Sequence, residues 1–300
     1  MTVEQPRFSV LLPVYAGDDP QFLERAFRSV TVEQTLHPAE VVVVRDGPVG
    51  APLAAALAGL PALVASTDVE VRVLELAENV GLARALERGL AACTHDVVAR
   101  MDADDVSLPE RFARQLALVG EGYDLVGTAI QEFADEDAPG IVRVPPLTSA
   151  DVDRASRFVS PFNHPSVVYR ASVVGRAGGY EHLPLMEDYW LFVRMLATGA
   201  RACNLSEPLV LYRVGAGAYA RRGGLRLLRS ELRLQWLMRR SGWTTWAQLL
   251  RNVVVRGGYR LVPESLRRVA YRRLIVRRGT GTGTGTGTGS GTSTGAGSAA

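Results

Sequence analysis

The chain has 300 residues, 47% of them hydrophobic, and two cysteines, Cys93 and Cys203. That is ample for a core but too little cysteine for a disulfide framework or a cysteine zinc site, so a reducing cytoplasm is expected. The net charge of +3 hides an asymmetry, because residues 221–278 carry 16 arginines against Glu231 and Glu264, which leaves residues 1–220 at −11; all 34 basic residues are arginine. The absence of lysine excludes a Walker-type phosphate loop and Schiff-base chemistry.

MTVEQPRFSV lacks the basic and apolar segments of a signal peptide, and no apolar run reaches the roughly 18 residues of a membrane span. Residues 8–14, FSVLLPV, read as a buried strand. A helix follows with Pro20 in its first turn and Leu23, Phe27 and Val30 on one face. AEVVVVRDG (39–47) and EVRVLEL (70–76) read as strands, and LARALERGLAA (82–92) has helical spacing. HDVVARMD is a strand that ends in three carboxylates, Asp102, Asp104 and Asp105. Ser107 and Glu110 fit a capping box, which predicts a helix starting just after Ser107. DLVGTAIQEF (124–133) and SEPLVLYRV (206–214) are further strands, and LMEDYWLFVRMLATG (185–199) is a helix opened by Glu187 and Asp188, a placement the helix dipole favours. Farther on, Trp246, Leu249, Leu250, Val253 and Val254 keep helical spacing, as do Leu266, Val269, Ala270 and Leu274, with arginines on the opposite faces.

Strands alternating with helices argue for a mostly parallel sheet covered on both faces. Ligands bind such sheets beyond the carboxyl ends of the strands. Tyr15, Asp46, Asn79 and Asp102 to Asp105 all fall at or just past such ends. An acidic turn there is either solvated or a divalent cation site. Mg²⁺ and Mn²⁺ prefer oxygen and reach proteins through carboxylates and substrate phosphates, but Asp-x-Asp alone does not decide between the two.

FSVLLPVY, VVVVRDG, ENVGLARALERGL, RMDADDVSLPERF, HPSVVYR, GGY and EDYWLFVRM occur in one order. Together they resemble the family-2 inverting glycosyltransferases of the GT-A fold over about residues 8–214, most closely bacterial enzymes of capsular and exopolysaccharide assembly. YARRGG (219–224) and RNVVVRGGYRLVPESLRR (251–268) resemble that subgroup's carboxyl-terminal extension. The resemblance implies a Rossmann-like, mostly parallel sheet in residues 1–220 and a basic amphipathic helical extension in 221–278; the low-complexity Gly/Thr/Ser composition of residues 279–300 predicts a disordered tail.

It also implies roles. Pro13, Val14 and Tyr15 would line the base and ribose, and Asp46 would meet the base edge. The turn from Asn79 through Gly81 to Arg84 would close over the nucleotide-sugar, with Arg100, Asp102 and Ala103 beside it. Asp104, with Asp102, would hold Mn²⁺ or Mg²⁺, and Asp188, paired with Glu187, matches the family's general base. The implied donor is a nucleotide-sugar, most readily a UDP-sugar, and the acceptor a lipid-linked saccharide. One departure stands out. Many members place a metal-binding histidine shortly after the last YR, whereas this chain continues YRVGAGAYARRGG. His164 is the nearby histidine, and a turn role ahead of Pro165 suits it better than metal ligation.

Residue by residue, blander readings stand beside these. Asp46 before Gly47 fits an ordinary turn, Arg84 a solvated helix position, Trp190 and Phe192 the core, and both cysteines buried bystanders. The basic extension has three readings: nucleic-acid binding, packing onto the acidic domain, or docking on an anionic membrane surface. Arginines set against apolar stripes with Trp243 and Trp246 favour the membrane, with no nucleic acid, and a peripheral place on the inner face of the cell membrane. Among rival functions, a haloacid-dehalogenase-type phosphatase would carry its DxD on the first strand, and a sugar nucleotidyltransferase would need a catalytic lysine. A catalytically inactive nucleotide-sugar-binding scaffold is the other alternative.

Overall fold

A computed structural model describes residues 6–214 and 225–258. YARRGG, residues 259–268 of the second arginine-rich motif, the Leu266 to Leu274 stripe and the Gly/Thr/Ser tail lie outside the described residues.

Strands β1 (Phe8–Tyr15), β2 (Glu40–Asp46), β3 (Glu70–Glu75) and β4 (Val97–Arg100) pair in parallel in the order β3-β2-β1-β4. The four valines of β2 are fully buried, as expected of strands covered on both faces. On one face lie α1 (Pro20–Val30), α2 (Ala51–Leu63) and α4 (Arg111–Gly120), with Leu23, Phe27, Leu57, Phe112 and Leu116 packed against Val10, Leu12 and Val14. The other face is covered by α3 (Leu82–Ala92), α6 (Ala171–Arg176) and α7 (Glu187–Ala197). Alternation along β1 sends Leu11 to this second face. Gly89 lets α3 sit close, since a Cβ there would come within 2.4 Å of both Leu11 and Val44 side chains.

The unbroken parallel run ends at β4, and the rest of the sheet mixes both directions. Beyond β4 the sheet continues through β8 (Val168–Arg170), β6 (Leu125–Phe133), β9 (Ala202–Arg213) and β5 (Val106–Ser107). There β4–β8, β8–β6 and β9–β5 are antiparallel and β6–β9 is parallel. A short β7 (Val142–Arg143) pairs off the edge of β6, and α5 (Ser149–Ser156) follows it. The strand read at 206–214 starts earlier, at Ala202.

The capping box is a correction. Ser107 lies in β5, its N–H donates to Ser29 Oγ and its hydroxyl accepts from Gln34, so α4 starts only at Arg111. The competing pull is pairing with β9, which takes Val106 and Ser107 into the sheet.

Two further helices, α8 (Leu225–Arg240) and α9 (Trp246–Asn252), with a π-turn at Val253–Gly257, pack on α7. Leu227, Leu234 and Met238 meet Tyr189, Trp190 and Val193. The packing reading of the extension therefore describes these two helices.

Candidate active site

The acidic turn hangs between the two halves of the sheet. Met101 N–H donates to Leu11 of β1 (3.1 Å), which ties the exit of β4 to its parallel neighbour. Across the turn, the Arg213 backbone N–H donates to Asp105 (2.8 Å) and its Nε to the Asp104 carbonyl (2.7 Å). The Arg213 guanidinium lies over the rings of Phe22 and Phe133, 3.8 and 4.4 Å from their centroids. Below, buried Arg111 donates to the Arg100 carbonyl (2.7 Å) and to Gln115 (3.0 Å). Gln115 in turn holds the carbonyls of Val126 and Ser166. The turn is thus fixed from β1, β9 and α4 at once.

One oxygen from each of Asp102, Asp104 and Asp105 lies within 4.8 Å of the others. Buried Arg100 pairs with Asp102, while its Nε and Nη1 find no partner. Burial and the Asp102 charge raise Asp104 above the usual carboxylate range, against the pull of Arg100. Asp105, fully buried, is raised farther by burial and by both neighbouring aspartates. Asp18, from the loop after β1, joins the group: burial, opposed by the Tyr15 N–H and reinforced by Asp104 and Asp102, pushes it to about 7. Three hard oxygen donors at this spacing, a buried Asp105 Oδ2 without a hydrogen-bond partner and a surplus of carboxylate over guanidinium fit a divalent cation.

Glu187 and Asp188 open α7. The preceding Leu185 has φ 65°, a left-handed conformation unusual for leucine and a local strain of the kind that gathers at functional sites. Burial and the Asp188 charge push Glu187 to about 7. Asp188 is also raised, by burial, against the Tyr189 N–H and Arg100, with Asp102 adding to the rise. Both acids therefore hold a proton more readily than an ordinary carboxylate, as suits proton acceptance. The guanidinium of Arg100 acts on the turn and on the α7 pair alike, so the structure brings the two acidic groups into one electrostatic neighbourhood.

The proposed nucleotide residues divide. Pro13 and Val14 are buried in β1, and Ala103 in the turn, whereas the Tyr15 side chain is exposed. Asp46 is buried and clamps the next loop: its two oxygens accept from the N–H groups of Val80 (2.7 Å) and Gly81 (3.0 Å), and its carbonyl accepts from Asn79. Gly47, at φ 87°, lets that loop approach, since a Cβ would come within 2.6 Å of the Asn79 nitrogen. This clamp presents Asn79, and then exposed Arg84 in the first turn of α3, at the carboxyl ends of β2 and β3. Arg84 has no carboxylate partner among the described residues.

His164 is buried in a short 3₁₀ turn, its Nε2 3.2 Å from the Tyr180 hydroxyl. Burial and Arg100 depress its pKa well below the ordinary value, and it stands apart from the three clustered carboxylates. Trp190 and Phe192 are core. Burial pushes the Cys93 and Cys203 thiols up to about 12 and about 11, as befits bystanders.

Sequence reading missed Asp18, Arg111, Arg213 and Tyr180. Asp18-Asp19 at the end of the first strand and the arginine closing LYR were visible signals. Arg111 and Tyr180 stand inside the quoted motifs RMDADDVSLPERF and GGY, but were given no role, because only the fold turns them inward.

Residues 9–170 match the family model described as Glycosyl transferase family 2. The chain is 36% identical over 269 residues to the amylovoran biosynthesis glycosyltransferase AmsE of Erwinia amylovora, covering 88% of this chain and 97% of that one. It is 32% identical over 280 residues to the UDP-Gal:alpha-D-GlcNAc-diphosphoundecaprenol beta-1,3-galactosyltransferase of Escherichia coli, covering 92% and 99%. Among solved structures, the mannosyltransferase PcManGT of Pyrobaculum calidifontis, in complex with GDP-Man and Mn²⁺, superposes with a TM-score of 0.63 at 18% identity, over 93% of this chain and 77% of that one. TarS of S. aureus with UDP-GlcNAc gives 0.59 at 17% identity, over 77% and 66%. These two likenesses carry the fold, a mostly parallel mixed α/β sheet flanked by helices in the GT-A arrangement. The chain belongs to glycosyl transferase family 2, among relatives named for amylovoran and O-antigen biosynthesis.

Proposed function

We propose that the chain transfers a sugar with inversion from a nucleotide-sugar, a UDP-sugar in the first instance, to a lipid-linked saccharide at the inner face of the cell membrane. The observation that carries this reading is the convergence of the Asp102, Asp104 and Asp105 cluster with the Glu187 and Asp188 pair around buried Arg100. A single-displacement transfer needs both parts, one for the departing diphosphate and one for the incoming hydroxyl.

Tyr15 offers its exposed ring to the base and ribose, and Asp46 reaches the base edge while holding the Asn79 to Arg84 loop over the nucleotide. Asp102 and Asp104, with Asp105 behind them, would hold Mn²⁺ or Mg²⁺, whose charge offsets that gathering on the diphosphate. Asp188 takes the proton of the acceptor hydroxyl as that oxygen bonds to the anomeric carbon. The anomeric C–O bond to the diphosphate breaks, and its electron pair leaves with the nucleoside diphosphate. Glu187 keeps the local charge negative and so keeps Asp188 basic. The lipid-linked acceptor follows the Escherichia coli relative, whose name specifies a diphosphoundecaprenol carrier. Among the described residues, no helix is long and apolar enough to cross a membrane.

Thermal melting with UDP, GDP and dTDP, each with and without Mn²⁺, tests the donor half on the parent and Asp104→Asn. A nucleotide at about 100 times its Kd adds about 2.7 kcal/mol, a rise of several degrees. A metal-dependent rise for one nucleotide, lost in the variant, is expected. No rise with any of them would return the turn to a solvated loop.

A further inference from the structure

The α8–α9 pair has one face fully used and one left open. Inward, Trp243 Nε1 donates to Ser156 Oγ (3.1 Å) beneath the Arg157 guanidinium. Asn252 donates to the Arg157 carbonyl and to Gln235, and Arg256 binds Glu231 and the Phe158 carbonyl. The matching of 231 with 256, 235 with 252 and 239 with 246 makes the two helices antiparallel and locks their rotation. The outward side chains are therefore held outward.

Those side chains are Leu232 and Trp236 on α8 and Trp246, Leu250 and Val254 along α9 and its π-turn, 40 to 65% exposed. Their spacing of four residues keeps each set on one stripe, and the two indoles join the stripes with centroids 6.4 Å apart. Exposed Arg229, Arg233 and Arg240 share α8 and have no carboxylate partner among the described residues, whereas Arg251 donates to Asn252 and lies over the Phe158 ring. Isolated exposed apolar residues need no explanation, but a two-helix apolar strip framed by unpaired arginines marks an interaction surface.

We infer that this face docks on an anionic lipid surface, with Trp236 and Trp246 in the headgroup region and the arginines on lipid phosphates. Aromatic belts and basic amphipathic helices are built in this way. Charge selects the occupant. A second copy would bring the same arginines together, and residues 259–278, with seven arginines against one glutamate, would meet like charge. Nucleic acid would satisfy the arginines but leave Leu250 and Val254 without an apolar partner. Residues 1–220, at −11, are repelled by the same lipid, so the body stands off while the helix pair touches. Because the pair packs on α7, docking holds Glu187 and Asp188 at a fixed height above the headgroups. That last step rests on the proposed lipid-linked acceptor; docking itself does not.

The experiment is co-sedimentation of the full chain with phosphatidylglycerol/phosphatidylcholine vesicles and with phosphatidylcholine alone. It compares the parent, the double variant Trp236→Ser/Trp246→Ser and the triple variant Arg229→Gln/Arg233→Gln/Arg240→Gln. Binding to the anionic vesicles is expected to fall about tenfold in each variant, with melting midpoints and nucleotide-induced shifts in solution unchanged. Brominated lipid should quench parent tryptophan fluorescence and lose that effect in the double variant. Undiminished binding by both variants overturns the proposal and hands docking to residues outside this face. Equal parental binding to neutral vesicles overturns the role of the arginines. A dimer in sedimentation velocity that the double variant abolishes assigns the face to a second copy instead. The nucleotide melts use no lipid, so failure of the donor reading and failure of docking are told apart.

Discussion

The parallel half of the sheet, β3-β2-β1-β4, and the mixed half, β8-β6-β9-β5, divide the labour of the site. The parallel half ends its strands in loops whose backbone N–H groups a side chain can hold, as the Asp46 carboxylate does, and offers a pre-formed edge to a ligand. The mixed half, with α7, crowds acids into a buried setting where burial and mutual repulsion shift their proton affinity. Repeated βα units give binding geometry at low electrostatic cost. Proton-transfer chemistry needs side chains of distant segments to converge on one charge, here Arg100 at the end of β4, where the two halves meet. If that division is right, lesions on the mixed side lower turnover and lesions on the parallel side lower donor affinity or stability.

The largest expected effect is at Asp188. Asp188→Asn removes the proposed base and should lower kcat by about 10²- to 10⁴-fold, while UDP still raises the melting midpoint as in the parent. Unchanged turnover would favour the inactive scaffold reading. The same pair predicts an acid limb in kcat/KM. Both carboxyls are raised, Glu187 to about 7, so the rate falls as pH drops and the pair takes up a proton. Glu187→Gln deletes a neighbouring negative charge, so ionised Asp188 is repelled less and the limb should move to lower pH. A limb that stays in place would mean that Asp188 titrates independently of its neighbour.

Next is the support under the turn. Arg111 is fully buried, and burial with the nearby Arg100 lowers it to about 9. Arg111→Ala strands the Arg100 carbonyl and leaves a cavity, together about 3 kcal/mol, or a fall of about 5–10 °C in the midpoint. Donor affinity should weaken with it, because the turn loses its floor. A variant as stable as the parent would show that desolvation of the guanidinium already cancels its bonds, leaving strand pairing to hold the turn.

Legibility followed the same division. FSVLLPV, VVVV and LARALERGLAA carried the parallel half because local hydrophobic period and burial agree there. The Asp-x-Asp turn and the Glu187-Asp188 pair were visible as acids at element ends. The mixed half was harder. Ser107 looks like a helix cap, but β9, about 100 residues away, captures it. Arg213 reaches the turn because β9 pairs with β5, and Tyr180 reaches His164 from the loop between α6 and α7. The helix α2, APLAAALAGLPAL, shows no polar face and was not read at all. Of the two tryptophans read as marking the amphipathic face of the extension, Trp243 turns inward to Ser156 and only Trp246 stays exposed; Trp236 joins it, a distinction set by packing on α7.

The parallel half has its own titration signature, at Glu40. Burial alone would raise this carboxyl, but the Ser9 hydroxyl, the Thr94 N–H and hydroxyl, and Arg72 outweigh it and lower the pKa to about 2. A depressed folded pKa stabilises the fold above the unfolded value near 4.5 and ceases to do so as pH falls toward 2. Glu40→Gln should therefore cost about 2 kcal/mol at pH 7, with the difference from the parent shrinking between pH 5 and pH 2, read from paired melting curves at each pH. A constant gap across that window would mean that shape, not charge, fixes this corner.

The smallest effect is expected at Arg84, and it bears most directly on the comparison. Its side chain is exposed beside the Asp46 clamp and pairs with no carboxylate among the described residues, so its removal should not disturb the fold. If the parallel half contributes only binding, Arg84→Gln loses one charge-assisted contact to the diphosphate, roughly 1 kcal/mol or about fivefold in donor KM. An interaction present equally in ground and transition states raises KM and leaves kcat alone. A fall in kcat instead would mean that Arg84 meets charge developing on the leaving group, and the parallel half would then share in the chemistry.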